Sequence, residues 1–279
     1  MTEPEPTQPD EAATRSGAPA GTEKLRLGGM ALRNGLLVHG PTHWAAAVRT
    51  DAGAIEVASG RKPRLRAADS VPGVRGIVRL AEAFVVIPLV KRALPAARLP
   101  FQDPGVVAVA AGASVGGTLL RRRVRGAGGE AAAAFVGFMP ALFALRGGDL
   151  AAYHGVEHKA IGAYEADDDD ARDATKEHER CGSHLVAPML ASNLAGTLLL
   201  RRAVERPGPL AGGAVALASS AVAVEVFAWC ERHAETRTAR VLKRPGFEIQ
   251  RLVGTREPDE HQLEVGRAAL AEILRVEQT

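Results

Sequence analysis

Stretches almost free of charge alternate with strongly charged stretches along this chain, and four of the apolar stretches are candidates for membrane spans. They cover residues 104–120, 131–145, 185–200 and 208–229. A helix of a soluble bundle would show polar residues at every turn of a solvated face. Since a bilayer core needs about 20 mostly apolar residues, with about 17 near the lower limit, the second and third segments are short. Buried core helices are the alternative for these two.

Basic residues at the ends of the apolar segments favour the membrane. Arg121–Arg123 follow the first segment, Arg146 follows the second, and Arg201–Arg202 follow the third. Four spans would put residues 146–184 on the same side of the bilayer as the segments before the first span and after the last one. Arginine-rich loops on both sides leave the positive-inside rule undecided.

Polar and apolar positions outside the spans predict smaller elements. Residues 1–24 are rich in proline, acidic and small residues, which is typical of a disordered tail and not of a signal peptide. Residues 25–66 predict a small β-rich segment, with strands at 46–48 and 55–58 around a turn. Residues 67–103 predict an amphipathic helix region on or partly in the membrane.

These patterns predict a mainly α, multi-pass helical membrane protein. About four spans lie within residues 104–230, after a small N-terminal β segment, and a soluble tail over residues 231–279 carries a C-terminal helix. The cysteines Cys181 and Cys230 form no CxxC pair, which is typical of reduced thiols. With the absence of a signal peptide, this favours a cell-membrane protein whose soluble segments face the cytoplasm.

Charge adds little to this picture. The net charge of +3 and the pI of about 9.1 come from arginine clusters, which are as natural at the ends of membrane helices as on a nucleic-acid-binding face. No aromatic interleaving or RNA-binding motif accompanies the clusters. We therefore expect the lipid bilayer as the partner and no nucleic acid, while the sequence names no protein partner.

The candidate chemistry lies between the second and third spans, in the sequence His154-Gly155-Val156-Glu157-His158. On a helix, histidines four residues apart lie on one face and their imidazoles can converge on one ion. The order H-x-x-E-H is the inverted zincin motif, in which both histidines bind zinc and the glutamate acts on water. Five residues are a short match, and a polar helix beside a membrane is the alternative.

A zinc site of this kind needs a third protein ligand and an open position. Glu165 lies on the same helical stripe but about 10 Å beyond the second histidine, which is too far for a shared ion. Glu225 is a candidate because acids inside apolar segments are costly and usually functional. His178 and Cys181 form a second cluster that could feed the same metal or simply open the third span, and His184 could join it.

Other polar groups have simpler interpretations. The run Asp167–Asp170 lacks the spacing of a calcium-binding loop and predicts a solvated loop. His39 and His43 are expected to be surface or packing residues. His261 falls in the C-terminal helix expected over residues 258–276 and is expected to be solvated.

Several blocks, in order, resemble the YqhQ-type family of bacterial membrane proteins, known as domain of unknown function 1385 and labelled as predicted metal-dependent enzymes. The blocks are GGMA at 28–31 with Gly35, HGP at 39–41, VRG at 74–76, YHGVEHK at 153–159 with YE at 164–165, RCG at 180–182, Glu225, PG at 245–246 with Gln250, and TREPDE at 255–260 with QLE at 262–264. The resemblance covers nearly all of residues 28–270. It implies several membrane helices, soluble segments gathered around the HGVEHK block, and a metal, but no substrate. The chain departs from the family pattern at residues 32–35, where LRNG replaces a Met-Glu-Gly-like stretch and an acidic residue is lost.

The sequence therefore supports a working hypothesis and two rivals. The hypothesis is a membrane-embedded, metal-dependent hydrolase acting on a peptide or a lipid-linked substrate. A divalent metal, with zinc expected, would be bound by His154 and His158, while Glu225 or the cluster of His178 and Cys181 completes the site and Glu157 acts as general base. The first rival is a non-catalytic scaffold or assembly factor with a structural metal or polar network. The second is a transporter that depends on the acid within the fourth span.

Overall fold

The N-terminal part of the protein is a small antiparallel sheet. The computed structural model describes residues 24–63, 74–124, 126–146, 148–168, 170–205 and 207–278. The sheet has four strands in the order of the chain: β1 (Gly28–Leu32), β2 (Gly35–His39), β3 (His43–Arg49) and β4 (Ile55–Arg61). The predicted turn between the last two strands is confirmed, and its Gly53 has a φ of 85°, which glycine adopts at no steric cost.

Both faces of this sheet are covered by helices. Along β2, Leu36 and Val38 point to one face and Leu37 to the other, because side chains alternate along a strand. The first face packs on residues such as Val156 and Ile273, and the second on residues such as Val90, all fully buried. This double burial explains why these strands are continuous apolar runs rather than alternating ones.

The helices follow the sheet in the chain. They are α1 (Val74–Ala93), α2 (Pro104–Arg123), α3 (Ala127–Leu145), α4 (Asp149–Ala166), α5 (Val186–Ala203), α6 (Pro209–Arg232), α7 (Arg237–Ile249) and α8 (Glu260–Glu277). One π-helical turn, Gln250–Gly254, follows α7. The helix α7 and this turn lie in the region for which the sequence predicted only a soluble tail. The predicted disordered tail lies outside the described residues except for Lys24, and so do residues 64–73 between β4 and α1.

Among the residues that the structure describes, four helices are long and apolar enough to cross a membrane, as the sequence predicted. They correspond to α2, α3, α5 with the turn before it, and α6. Most of their side chains lie on the outside of the molecule, and α5 buries none. The mainly α fold with four candidate spans and a small N-terminal sheet is thus confirmed. The helices α2, α5 and α6 extend a few residues beyond their predicted ends, whereas α3 ends at Leu145 as predicted and begins a few residues earlier.

Ion pairs mark the two ends of these four helices. At one end Glu130, a buried residue in the first turn of α3, accepts from Arg121 at 3.1 Å and from Arg201 at 2.6 Å, at the ends of α2 and α5. At the other end Asp103 caps α2 and pairs with Arg33 beside the sheet at 2.8 Å. The sheet, α4, α7 and α8 therefore lie at the end where α2 begins and α3 finishes.

Candidate metal centre

The helix α4 carries the H-x-x-E-H motif and lies inside the protein. It packs against β1 on one side and α8 on another, and twelve of its eighteen residues are buried. Two close approaches depend on glycine. A Cβ on Gly29 in β1 would lie 2.7 Å from Cδ of Glu157, and a Cβ on Gly155 would lie 2.3 Å from the carbonyl oxygen of Arg256. The glycines of β1 and α4 therefore let the motif lie directly against its neighbours.

The two histidines of the motif are adjacent and held in defined orientations. Their ring centroids are 4.4 Å apart. Nδ1 of His154 donates to the carbonyl oxygen of Gly254 at 2.8 Å, and Nδ1 of His158 donates to that of Lys176 at 2.6 Å. Since a neutral imidazole carries only one proton, each Nε2 is left with a lone pair. A backbone carbonyl that fixes the tautomer in this way is typical of metal-binding histidines.

Cys181 completes a group of three side chains that could ligate one metal ion. Its Sγ lies 3.3 Å from Nε2 of His154. The ligand atoms of His154, His158 and Cys181 all lie within 4.8 Å of one another. This is close to the spread that one ion can bridge, because zinc takes nitrogen and sulfur ligands at about 2.0–2.3 Å. We call these residues the ligand group.

One atom of the ligand group lacks a hydrogen-bond partner, and this indicates whether the site suits a metal. Nε2 of His158 is buried and has no hydrogen-bond partner among the described residues. A buried polar atom without a partner costs about 1–3 kcal/mol, and such groups are rare in native proteins. A cation at this position would satisfy the lone pair, so the residues present fit a metal.

Burial controls the protonation of the ligand group and of Glu157 beside it. It lowers the pKa of His158 to about 3, so that this imidazole is neutral at physiological pH. Burial also raises the pKa of the Cys181 thiol and raises the pKa of Glu157 to about 7. A divalent cation bound in the ligand group would instead lower the pKa values of Cys181 and Glu157, because a cation favours the thiolate and the carboxylate.

The ligand group opens onto a cavity of about 440 Å³. Its polar lining comes from three segments of the chain. The residues are His39, His154, Glu157, His158, His178, Arg180, Cys181 and Ser183. The two glycines at the start of β1 and the apolar Leu145 and Leu150 form other parts of the wall. A small polar ligand that enters this cavity would meet the ligand group and Glu157 together.

A network of buried polar residues positions the loop that carries Cys181. Gln250 is fully buried; its Oε1 accepts from the amide of His178 at 2.7 Å and its Nε2 donates to Oγ of Ser183 at 2.9 Å. Lys243, also buried, pairs with Glu231 at 3.1 Å and Glu179 at 3.3 Å. The C-terminal segment of the chain therefore fixes both sides of the Cys181 position.

His178 lies beside the ligand group without being part of it. Its ring centroid is 5.7 Å from that of His158, and it lines the same cavity. Its Nδ1 accepts from the amide of Arg180 at 3.2 Å, and its Nε2 faces the carboxylate of Glu165 at 3.2 Å. Because both ring nitrogens are engaged, His178 is a cavity-lining residue in this structure.

His184, which could have joined the cluster, has a structural role instead. Its Nδ1 donates to the carbonyl oxygen of Lys243 at 2.9 Å, and its Nε2 lies 3.3 Å from Nε2 of Gln250. A Cβ on Gly246 of α7 would lie 2.2 Å from Nδ1 of His184. The residue thus joins the start of the α5 span to α7.

Glu225 lies away from the ligand group. It lines a different, apolar cavity between α6 and α7, together with residues that include Trp229 and Leu242. The structure therefore does not bring this carboxylate to the histidines. Glu165 is also outside the group, as its distance along the helix predicted, and it contacts His178 and Arg180.

His39 is a cavity residue that the sequence did not identify as such. It was expected to be a surface or packing residue, yet it lines the cavity, and its buried Nδ1 has no partner among the described residues. Burial lowers the pKa of His39 to about 4. The signal for His39 in the sequence was its place in the block HGP. In the structure, strand pairing brings His39 opposite Gly28 at the start of β1.

Comparison with known proteins relates the second half of the chain to a family. A family model described as "Protein of unknown function (DUF1385)" matches residues 148–276. This range begins at α4 and includes the whole ligand group, Glu157, and the segment that holds the Cys181 loop. The sheet and α2 and α3 lie outside it. No curated protein and no solved structure matches the chain.

Proposed function

We propose that this protein is a metal-dependent enzyme of the cell membrane, and specifically a hydrolase. The observation that carries the proposal is the ligand group itself, in which Nε2 of His158 is buried without a partner beside the ligand atoms of His154 and Cys181. Three protein ligands leave one position of a tetrahedral ion open, as in catalytic rather than structural zinc sites. Imidazole and thiolate ligands together favour zinc among the common divalent metals.

Glu157 is the proposed general base. A bound divalent ion would supply Lewis acidity and make water more acidic. Glu157 lines the same cavity as the ligand group. Its side chain is packed against Gly29, which holds the carboxylate at the cavity. In this position it can take a proton from water and return it to a leaving group.

The proposed location is the membrane–water boundary on the cytoplasmic side. The four candidate spans support the membrane, and the free thiols Cys181 and Cys230 support a reducing compartment. A pair of reporter fusions after α8, one active only in the cytoplasm and one only outside it, tests this side. An active external reporter would contradict it.

Metal content and complementation test the enzymatic proposal. The full chain is purified as wild type, His158→Ala, Glu157→Gln and His261→Ala, and zinc, iron and manganese are measured per chain. His261 is an exposed histidine on α8 and provides the matched control. We expect one metal ion per chain in wild type, Glu157→Gln and His261→Ala, and loss of that metal in His158→Ala. In a strain that lacks the gene, only wild type and His261→Ala should restore its phenotype.

Two results would overturn the proposal in different ways. Wild-type protein without stoichiometric metal would remove the metal site. Full complementation by Glu157→Gln with metal retained would show that the metal is structural, as expected for a scaffold.

A further inference from the structure

Another cavity lies where α3 ends and α4 begins, and it has an apolar wall. Its volume is about 520 Å³. The wall combines the last turns of α3 with the π-helical turn after α7. Its apolar side chains are Met139, Leu142, Phe143, Leu145, Leu252 and Val253. Leu252 is 67% exposed and Val253 37% exposed, so this wall is open to the surroundings.

Two guanidinium groups lie at one end of this wall. Arg146 caps the C-terminus of α3, and Arg256 follows the π-helical turn. The backbone of Arg256 is anchored, because its amide donates to the carbonyl oxygen of Ala151 at 2.9 Å. A Cβ on Gly148 would lie 3.3 Å from Nη1 of Arg256, which places this guanidinium beside the loop that follows Arg146.

These two side chains differ from other arginines near them. Arg33 pairs with Asp103, and Arg251 pairs with Glu248 at 2.7 Å. Within the described part of the chain, the side chains of Arg146 and Arg256 form no ion pair and no hydrogen bond, and no acidic residue lines the cavity. Arg146 also lines a neighbouring cavity that contains Asp103 and Asp149. Inside the apolar-walled cavity, the pair therefore presents two positive charges that are not engaged in a direct ion pair.

We propose that this cavity binds an anionic phospholipid of the bilayer. Its phosphate would lie between Arg146 and Arg256, since guanidinium groups bind phosphate through paired hydrogen bonds. Its acyl chain would follow Phe143 and Leu252 toward the lipid-facing side of α3. Basic pockets at the ends of membrane helices are suited to such headgroups. The proposal rests on the membrane placement of α3 and not on the metal.

The same cavity adjoins the one at the ligand group. Leu145 lines both cavities. A bound lipid would therefore contact the segment from which the motif helix starts. This adjacency makes the lipid site a means of holding α4 at the membrane surface.

Lipid selectivity of the purified full-length protein tests the proposal. Wild type, Arg146→Gln/Arg256→Gln and Arg251→Gln are exposed to equimolar phosphatidylglycerol and phosphatidylcholine in mixed micelles, and retained lipid is counted by native mass spectrometry. Arg251→Gln is the matched control because it removes one neighbouring charge outside the cavity. We expect wild type and the control to prefer phosphatidylglycerol by about tenfold or more, and the double variant to show no preference.

Further arms separate the possible outcomes. The same selectivity in His158→Ala protein is expected, so a failed metal proposal leaves this result intact. Should the double variant not fold, each single variant is expected to lose about threefold of the preference. Equal loss in Arg251→Gln would mean diffuse surface charge and overturn the proposal. Displacement of the lipid by equimolar glycerol 3-phosphate would mean a soluble phosphate ligand and overturn it as well.

Discussion

Two helices of equal length, α4 and α5, show opposite relations between polarity and burial. Each has eighteen residues. The helix α4 contains His154, Glu157, His158 and Lys159 and buries most of its length. The helix α5 is apolar, buries no residue, and exposes 63% of Leu199. In a soluble protein the apolar helix would be inside and the polar one outside.

The difference shows that the two helices meet different surroundings. A helix with an exposed apolar surface is stable in lipid, where its backbone is satisfied internally. One polar side chain within α5 follows the same rule, because Oγ of Ser192 donates to the carbonyl oxygen of Pro188 at 2.6 Å. The polar groups of α4 instead find partners in other segments, such as the carbonyl oxygens of Lys176 and Gly254. The proposal of a metal site depends on Nε2 of His158, which has no hydrogen-bond partner among the described residues.

The largest expected effect concerns the lipid-facing surface of α6, the helix that pairs with α5. Leu217 lies in its central part and is 62% exposed. If this surface faces lipid, Leu217→Lys should lower apparent membrane insertion of α6 by about 3 kcal/mol, because lysine at a helix centre is strongly disfavoured and leucine favoured. The fraction of chain that resists alkaline extraction from membranes measures the effect.

The matched control for this experiment is Val57→Lys. Val57 is an exposed apolar residue of β4, outside the spans. Its lysine variant should be extracted no more than wild type. If Leu217→Lys also behaved like wild type, α6 would face water, and the contrast between α4 and α5 would need another explanation.

A second prediction concerns the close packing of α4, using two glycines of this one helix. A Cβ on Gly155 would lie 2.3 Å from a backbone oxygen of Arg256, whereas the nearest atom to a Cβ on Gly162 is 4.0 Å away, in His178. Gly155→Ala should therefore lower the free energy of unfolding by about 1–3 kcal/mol through overpacking. Gly162→Ala should leave it unchanged or raise it by up to about 1 kcal/mol, since alanine favours helix.

Denaturant unfolding in one detergent, followed by circular dichroism, measures both glycine variants. Gly162→Ala is the control for Gly155→Ala, because each variant adds the same methyl group to the same helix. Equal effects of the two substitutions would contradict the close contact between α4 and the segment at Arg256.

The sequence predicted the parts of this molecule that depend on local patterns. Uncharged segments gave the spans, and the apolar runs at 46–48 and 55–58 gave two of the strands, because composition and period alone determine these elements. The spacing of His154 and His158 placed both on one helical face for the same reason. These features need no knowledge of which segments are neighbours.

The third member of the ligand group could be identified only from the tertiary structure. Glu225 and the cluster of His178 and Cys181 were the candidates, and nothing in their local sequence ranks them. The choice depends on the path of the loop after α4, which the buried Gln250 and Lys243 fix from segments far away in the chain. His39 was missed because its place at the cavity depends on the pairing of β1 with β2 and on the packing of β1 against α4.

The smallest expected effect concerns Lys159, the buried cation of α4. Its Nζ donates to the carbonyl oxygens of Arg172 and Ala174, each at 2.8 Å, and pairs with Glu257 at 2.7 Å. Two residues further along, the carbonyl oxygen of Lys176 orients His158. Lys159→Met keeps the side-chain volume but releases this segment, and should weaken zinc affinity about tenfold, the lower end for residues that orient a metal ligand.

Lys176→Met is the control for this last prediction. It keeps the backbone carbonyl oxygen that accepts from His158 and removes only an ion pair with Glu177 at 3.3 Å, and pairs of this partly exposed kind contribute little. Competition with a chromogenic chelator gives both affinities at fixed pH. Unchanged affinity in Lys159→Met would show that the loop holds its position without the lysine. An equal loss in both variants would show that the affinity follows the charge near the site, and that the buried contacts of α4 do not organise the ligand group.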